Sequence, residues 1–287
     1  MGEDGHQCPK NPCSTESCGD GYLRSVRGWL GLIGVLAMTA VCARSATGAL
    51  PNTLLPDLDE RAPLAVSVRW GGPPGKLHPR LVFTSSVENV GFGPLMVEGR
   101  RSSTRAQTMR ADQIVRLRNG GFERFEAVGR MRYNVSPSHS HWHLQPFEQY
   151  ELRTVDGRRI VRDHKNGFCL TNDYRSPLAT LGPRATGPVD KSDCGRNKLG
   201  ARHVLEGIPV GWGDLYIPAK EGQYIDINGL PYTDYVLVHR VNARRLLHES
   251  NYANNASSMR IRLVPPATPT DPPGVIELRS CDTGTSC

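Results

Sequence analysis

Three histidines stand at alternate positions in the segment His-Ser-His-Trp-His, residues 139–143. In an extended strand, side chains two residues apart point to the same face and are spaced by about 6.6 Å, given a rise of roughly 3.3 Å per residue. The pattern therefore predicts a strand with His139, His141 and His143 on one face. Neutral imidazole suits copper and zinc, and three nitrogens on a bent strand can converge on one ion and leave positions open for water or oxygen. The alternative is a structural histidine cluster on a polar face.

The rest of the chain predicts strands rather than long helices. Seven segments show β-branched alternation bounded by Gly, Pro and Asn. They cover residues 64–70, 81–90, 94–99, 113–118, 149–155, 234–242 and 257–264. With 30 Gly, 22 Pro and only 7% aromatic residues, we expect a mostly β protein: a single β-sandwich-like domain whose long irregular loops carry the site. Residues 50–60 and 265–274 are interpreted as linkers.

Residues 1–49 predict an export signal. Arg24 and Arg27 precede an uncharged apolar run from Gly28 to Ala43, and small residues follow as far as Ala49. This order of basic, apolar and small-residue regions is typical of a signal peptide. The run is shorter than the roughly 20 residues of a membrane-spanning helix, so cleavage is favoured over a permanent anchor, which stays the alternative. We therefore expect a secreted, extracellular protein.

Four separated segments follow the histidine run. They are PFEQYEL (146–152), DHKNGFCL (163–170), GWGDLYIPAKEGQYIDI (211–227) and ESNYANN (249–255). In this order and spacing they resemble the catalytic domain of the lysyl oxidases, specifically the secreted bacterial relatives that carry this domain alone. The resemblance extends from near Leu81 to Leu263 and rests on the agreement of all four segments. It divides the chain into an N-terminal extension with signal peptide (1–49), a linker and first strand (50–80), a lysyl oxidase-like copper amine oxidase domain (81–264) and a Pro-rich, disulfide-locked tail (265–287).

The resemblance implies both a metal and a cofactor derived from the protein itself. In the family, three histidines hold copper, and a lysine and a tyrosine are cross-linked into a lysine tyrosylquinone. The matching copper ligands here are His139, His141 and His143, and the matching cofactor residues are Lys165 and Tyr216. Taken alone, Lys165 would be a solvated charge and Tyr216 a core or surface aromatic residue. Their positions within the motifs favour the cofactor interpretation.

The chemistry of such a cofactor requires a base. A quinone derived from Tyr216 condenses with primary amines, a general base removes a proton from the substrate carbon, and hydrolysis frees an aldehyde; reoxidation by dioxygen gives ammonia and hydrogen peroxide. Asp214 and Asp226 are the candidates for this base because both are close to Tyr216 in sequence, and roles in turns or strand ladders are the alternatives. Gln149 stands where animal enzymes carry a further histidine, so a fourth copper ligand is left unassigned.

Four cysteines follow the signal: Cys169, Cys194, Cys281 and Cys287. An even number in an exported chain predicts disulfides, and three pairings are open. We expect Cys169–Cys194 and Cys281–Cys287, because each closes a short or moderate loop. The cysteine of the FCL segment is also bridged in the resembled family.

The net charge of +7 belongs to the part of the chain after the signal, since residues 1–49 contain four acids and four bases. A basic surface can attract an anionic cell-surface polymer. The arginines are scattered and no aromatic-interleaved motif accompanies them, so nucleic-acid binding is not expected.

Two functions from different classes fit these patterns. The first is a secreted copper-dependent amine oxidase that uses dioxygen to oxidise primary amines, including the ε-amine of lysine in a protein or peptide. The second is an exported, non-catalytic copper-binding protein. Lys165 and Tyr216 discriminate between them, because a binding protein needs neither. A zinc hydrolase ranks last, since the chain lacks the acid-bearing helix motif of zinc peptidases.

Overall fold

Strands form the regular structure of this protein. The structure is a computed structural model that describes residues 52–136, 140–162, 165, 167–178 and 192–287; the predicted signal, residues 1–49, lies outside them. No helix occurs in the described residues, and hence none with the length and apolar content needed to cross a membrane. The expectation of a mostly β fold is confirmed.

Seventeen strands are present in the described part of the chain. In chain order they are β1 (Thr53–Leu54), β2 (Leu58–Glu60), β3 (Leu64–Gly71), β4 (His78–Asn89), β5 (Leu95–Arg100), β6 (Thr108–Leu117), β7 (Phe122–Val135), β8 (Ser140–Gln145), β9 (Glu148–Thr154), β10 (Arg159–Arg162), β11 (Tyr174–Arg175), β12 (His203–Ile208), β13 (Trp212–Tyr216), β14 (Tyr224–Asp226), β15 (Asp234–Val241), β16 (Ala256–Val264) and β17 (Gly274–Cys281).

The strands form three antiparallel sheets. The first has the order β12-β5-β6-β7-β8, with β1 added to β6. The second has the order β10-β9-β15-β16-β17. The third is built on the long strand β4, which pairs with β13 and β14 and also with β2 and β3.

The three sheets pack on one hydrophobic core. Met131 of β7, Tyr150 of β9 and Phe83 of β4 come from different sheets, and all are fully buried in this cluster. Each large apolar side chain removed from water contributes about 1.5–3 kcal/mol. Packed sheets around a shared core match the sandwich-like arrangement expected from the strand pattern.

Two segments interpreted as linkers or tail are more ordered than expected. Residues 50–60 contribute β1 and β2, and Leu58 is fully buried. The tail contributes β17, which pairs along β16 and ends at Cys281, where the disulfide Cys281–Cys287 follows. In both places short apolar or alternating stretches gain strand structure from a neighbouring strand edge, which local composition does not reveal.

Candidate functional site

Strand β8 presents two of the three histidines of the run. His141 and His143 lie on one face of this strand, opposite Asn134 and Arg132 of β7. The intervening Trp142 is fully buried on the other face, so the pleat that buries this ring also fixes the direction of both imidazoles. The predicted strand at this position is present. His139, the third expected ligand, lies outside the described residues.

The two imidazoles converge. The Nε2 atoms of His141 and His143 are 2.8 Å apart, and His141 is only 7% exposed. Two nitrogens bound to one ion at about 2.0–2.1 Å are separated by about 2.8–3.4 Å for bond angles between 90° and 109°. The observed distance between the two Nε2 atoms is therefore close to that of two nitrogens bound to the same metal ion. Among the described residues, no group of three His, Cys, Asp or Glu side chains could hold a metal ion.

Residues 167–169 lie along the outer edge of β8, and Lys165 comes two residues before them. The backbones of Leu144 and Phe168 exchange two hydrogen bonds, of 2.8 and 3.1 Å. Close approach requires a glycine at position 167, since a Cβ there would lie 2.8 Å from the Cβ of His143. The segment is thereby held directly beside the histidines.

The disulfide Cys169–Cys194 also holds this segment in place. The carbonyl of Cys194 accepts a hydrogen bond of 2.9 Å from the backbone N–H of Trp142 in β8. The carbonyl of Cys169 accepts one of 2.8 Å from the hydroxyl of Tyr216. The disulfide therefore links Cys194, which is hydrogen-bonded to strand β8, to Cys169, which is hydrogen-bonded to Tyr216.

Lys165 and Tyr216 meet in the fold. The Nζ atom of Lys165 lies 4.3 Å from the centroid of the Tyr216 ring and 4.8 Å from that of Phe168. The same Nζ donates a hydrogen bond of 3.2 Å to Oε1 of Gln223. Tyr216 is the last residue of β13, and it is 4% exposed.

The Tyr216 hydroxyl contacts a buried carboxyl group. Its oxygen lies 2.7 Å from Oδ2 of Asp214, which is 1% exposed. Burial raises the pKa of Asp214 well above its ordinary value, and the charge of Asp173 adds to this. Burial, followed by the charge of Asp214, likewise raises the pKa of Tyr216 well above its ordinary value. The phenol therefore holds its proton at neutral pH unless that proton is taken by a neighbour.

The structure separates the two candidate bases. Asp214 contacts the Tyr216 hydroxyl, whereas Oδ2 of Asp226 in β14 lies 2.9 Å from Nε2 of His78; neither carboxyl group lines the cavity at Tyr216. Gln149 also lies away from that cavity, and its Nε2 donates a hydrogen bond to Glu151.

A cavity of about 350 Å³ opens at the meeting point of these residues. The predicted residues His141, His143, Lys165, Cys169 and Tyr216 all line it. It also contains residues that sequence reasoning did not single out: Asp173, Arg196, Lys220 and Glu221. The volume accommodates a small molecule or an extended side chain.

A buried polar cluster behind the cavity was also missed. It contains Gln223, Tyr150, Glu148, Ser85 and Glu60, each at most 4% exposed. The hydroxyl of Tyr150 donates to Glu148, and Ser85 donates to Oε2 of Glu148 at 2.7 Å and to Oε1 of Glu60 at 3.3 Å. Burial raises the pKa of Glu60 well above its usual value and raises that of Glu148. The polar letters of PFEQYEL and EGQYIDI, embedded in strand-like segments, are the signal that could have revealed it.

Comparison with known proteins identifies the family of this chain. A family model described as Lysyl oxidase matches residues 98–267. Lysyl oxidase homolog 2 of Xenopus laevis is 27% identical over 145 residues, which cover 50% of this chain and 17% of that protein. Lysyl oxidase homolog 2 of Bos taurus is 28% identical over 136 residues, 47% of this chain and 16% of the relative. Lysyl oxidase homolog 4 of Bos taurus gives the same identity and coverage. The match thus spans 16 to 17% of the length of these curated relatives.

Proposed function

Because this chain belongs to the lysyl oxidase family, we propose that it is a secreted copper-dependent amine oxidase. It oxidises primary amines, with the ε-amine of peptidyl lysine as the expected substrate, to aldehydes, and it releases ammonia and hydrogen peroxide. The cofactor is a lysine tyrosylquinone formed from Lys165 and Tyr216. The observation that carries the proposal is the 4.3 Å distance between the Lys165 amine and the Tyr216 ring, although the two residues are far apart in sequence.

The residues present fit the metal. His141 and His143 direct their Nε2 atoms to one position at the cavity, and imidazole is a ligand that copper accepts. Together with His139 they would hold the copper ion. When bound, copper and the quinone supply the redox chemistry: oxidation of the tyrosine ring with dioxygen, and acceptance of electrons from the amine.

The side chains around Tyr216 handle its proton. Oδ2 of Asp214 is 2.7 Å from the phenol oxygen, within the reach required of a general base. Since burial raises the pKa of Asp214, its carboxylate is a stronger base than an exposed aspartate. We assign Asp214 the role of taking the phenol proton. The phenol has a single proton, so it donates either to Asp214 or to the carbonyl of Cys169, and transfer occurs from the first arrangement.

The cavity supports an amine substrate. Its lining includes the carboxylates of Asp173 and Glu221 beside the cationic side chains of Lys165, Arg196 and Lys220. The two carboxylates are the part of the lining that can attract an ammonium group. Two disulfides in the described residues fit an oxidising, extracytoplasmic compartment. The net charge of +7 supports attraction to an anionic cell-surface polymer or an acidic protein substrate.

The test is phenylhydrazine trapping combined with peptide mapping of protein loaded with copper in air. A coloured adduct on Tyr216, the 165 and 216 peptides joined, and peroxide release with a primary amine are expected. Lys165→Ala should bind copper but form no lysine-derived quinone, and Tyr216→Phe should abolish amine-dependent peroxide release while the fold persists. If copper binds but the peptides stay separate and no amine is turned over, the protein is an exported copper-binding module instead.

A further inference from the structure

Two lysine amines lie close to the ring of Tyr216. The Nζ atom of Lys165 is 4.3 Å from the ring centroid, and that of Lys220 is 5.6 Å away. Both lysines line the same cavity. An oxidised ring is an electrophile that reacts with any neutral amine that reaches it. If Lys165 is the cofactor lysine, the fold must favour its amine over that of Lys220.

The two lysines are held very differently. Lys165 is half-buried, and its amine donates a hydrogen bond of 3.2 Å to Oε1 of Gln223. Lys220 is exposed, and within the described ranges its side chain makes no hydrogen bond or ion pair; its amine lies over the Tyr216 ring. Gln223 thus restrains the amine of Lys165, whereas the amine of Lys220 can move with its flexible side chain.

Gln223 is itself fixed from behind. It is fully buried and directly precedes β14, which pairs with β4. Its Oε1 also lies 3.4 Å from the hydroxyl of Tyr150, and Glu148 and Ser85 complete the hydrogen-bonded cluster. Gly222, at a φ of +74°, makes the turn that brings Gln223 there, and a Cβ at this position would lie 3.4 Å from the Cβ of Lys165. Because Gln223 is fully buried beside these groups, its acceptor oxygen cannot follow a mobile amine and therefore defines one position.

We propose that Gln223 is a positioning residue that selects Lys165 over Lys220 for the cross-link to Tyr216. The inference rests on the proposed function and names a determinant of cofactor formation within it. The ring of Phe168, whose centroid is 4.8 Å from the Lys165 amine, also contacts this amine.

The cross-linking of Lys165 to Tyr216 consumes two molecules of dioxygen. Dioxygen first converts the Tyr216 phenol to an ortho-quinone and one molecule of water. The neutral amine of Lys165 then forms a carbon–nitrogen bond to a ring carbon, and the carbon–hydrogen bond of that ring carbon and one nitrogen–hydrogen bond break. A second dioxygen takes the two electrons and two protons and leaves as hydrogen peroxide. Gln223 acts before bond formation by holding the nitrogen beside the ring.

The first test maps the cross-link by mass spectrometry in wild-type protein and in Gln223→Leu after copper loading in air. We expect the wild-type protein to join Tyr216 to Lys165 alone. In Gln223→Leu, the rate at Lys165 should fall about two- to tenfold, the factor that corresponds to one lost hydrogen bond between neutral groups, because the reacting amine is neutral. Joining of Tyr216 to Lys220 should then appear and vanish again in Gln223→Leu/Lys220→Ala. Gln223→Glu, which keeps an acceptor, should restore selection of Lys165.

Controls separate positioning from loss of fold. Gln113→Leu removes another fully buried glutamine, which pairs with the backbone of His248, and it should leave the cross-link at Lys165 unchanged. Copper stoichiometry should stay the same in all variants. Cross-linking of Gln223→Leu at Lys165 with the wild-type rate would overturn the inference.

A second measurement does not depend on copper or on turnover. In metal-free protein, competitive acetylation should modify Lys220 faster than Lys165, and Gln223→Leu should raise the labelling of Lys165 severalfold. If wild-type protein forms no cross-link but this labelling difference is found, the contact stands and the proposed function fails. If labelling of Lys165 is unaffected by Gln223→Leu, the positioning role is refuted.

Discussion

Removal of the Cys169–Cys194 disulfide should destabilise the protein more than removal of Cys281–Cys287. The two bridges span sequence separations of 25 and 6 residues. Loop-closure entropy of the unfolded chain then gives stabilisations of about 3.5 and about 2.2 kcal/mol. Cys194 is also fully buried, so alanine at this position leaves unfilled core volume and increases the first loss.

Urea denaturation of Cys169→Ala/Cys194→Ala and Cys281→Ala/Cys287→Ala measures both losses directly. The second variant is the matched control, because each variant replaces two cysteines by alanines. The first should have the lower midpoint with a similar dependence on urea concentration. An equal or larger loss in the control would refute the account, since it would mean that loop length does not set the contribution of these bridges.

Two further predictions concern the histidines. His141→Ala should lose most bound copper, because one of the two convergent Nε2 atoms disappears, while Gln149→Ala should keep the wild-type stoichiometry by elemental analysis; full copper in His141→Ala would contradict the ligand assignment. His239 is fully buried, and burial lowers its pKa to about 3. Above the unfolded pKa of about 6.5, His239 is neutral in both the folded and the unfolded state. As pH falls from 6.5 towards 3, only the unfolded chain binds a proton there, so the free energy of unfolding falls by about 1.4 kcal/mol per pH unit. Between pH 6.5 and pH 4, wild-type protein should lose about 3 kcal/mol more than His239→Leu in urea titrations, and parallel losses would show that His239 is not the group responsible.

Local alternation predicted the histidine strand and most of the long strands, but not β7. Residues Phe122–Val135 carry many charged side chains on the outward face, and few β-branched residues mark them as a strand. What makes them a strand is pairing with β6 on one side and β8 on the other. Such pairing is a property of the whole sheet, so a window of sequence does not contain it.

Alternation within a strand could also have predicted which of the two candidate bases contacts Tyr216. Asp214 and Tyr216 are two residues apart in β13, so their side chains lie on the same face. Asp226 belongs to a different strand, after a turn, where its distance from Tyr216 in sequence says little about its distance in space. The same turn explains why Gln223 was missed: its contact with Lys165 depends on the backbone at Gly222 and on the position of a segment nearly sixty residues earlier.

The position of β8 at the edge of its sheet explains how residues that are far apart in sequence form one site. β8 is the last strand of its sheet, and an uncovered edge exposes backbone groups that need partners. Here irregular segments cover it: Phe168 bonds to Leu144, and Cys194 bonds to Trp142. A regular strand in this place would continue past the histidines and fill the space above them with main chain. The irregular segments hydrogen-bond to β8 at only a few positions. They therefore cover the strand edge and still leave a cavity in which Lys165 contacts Tyr216. The long loops expected from the Gly and Pro content are therefore part of how the site is built, because they supply both the cover and the opening.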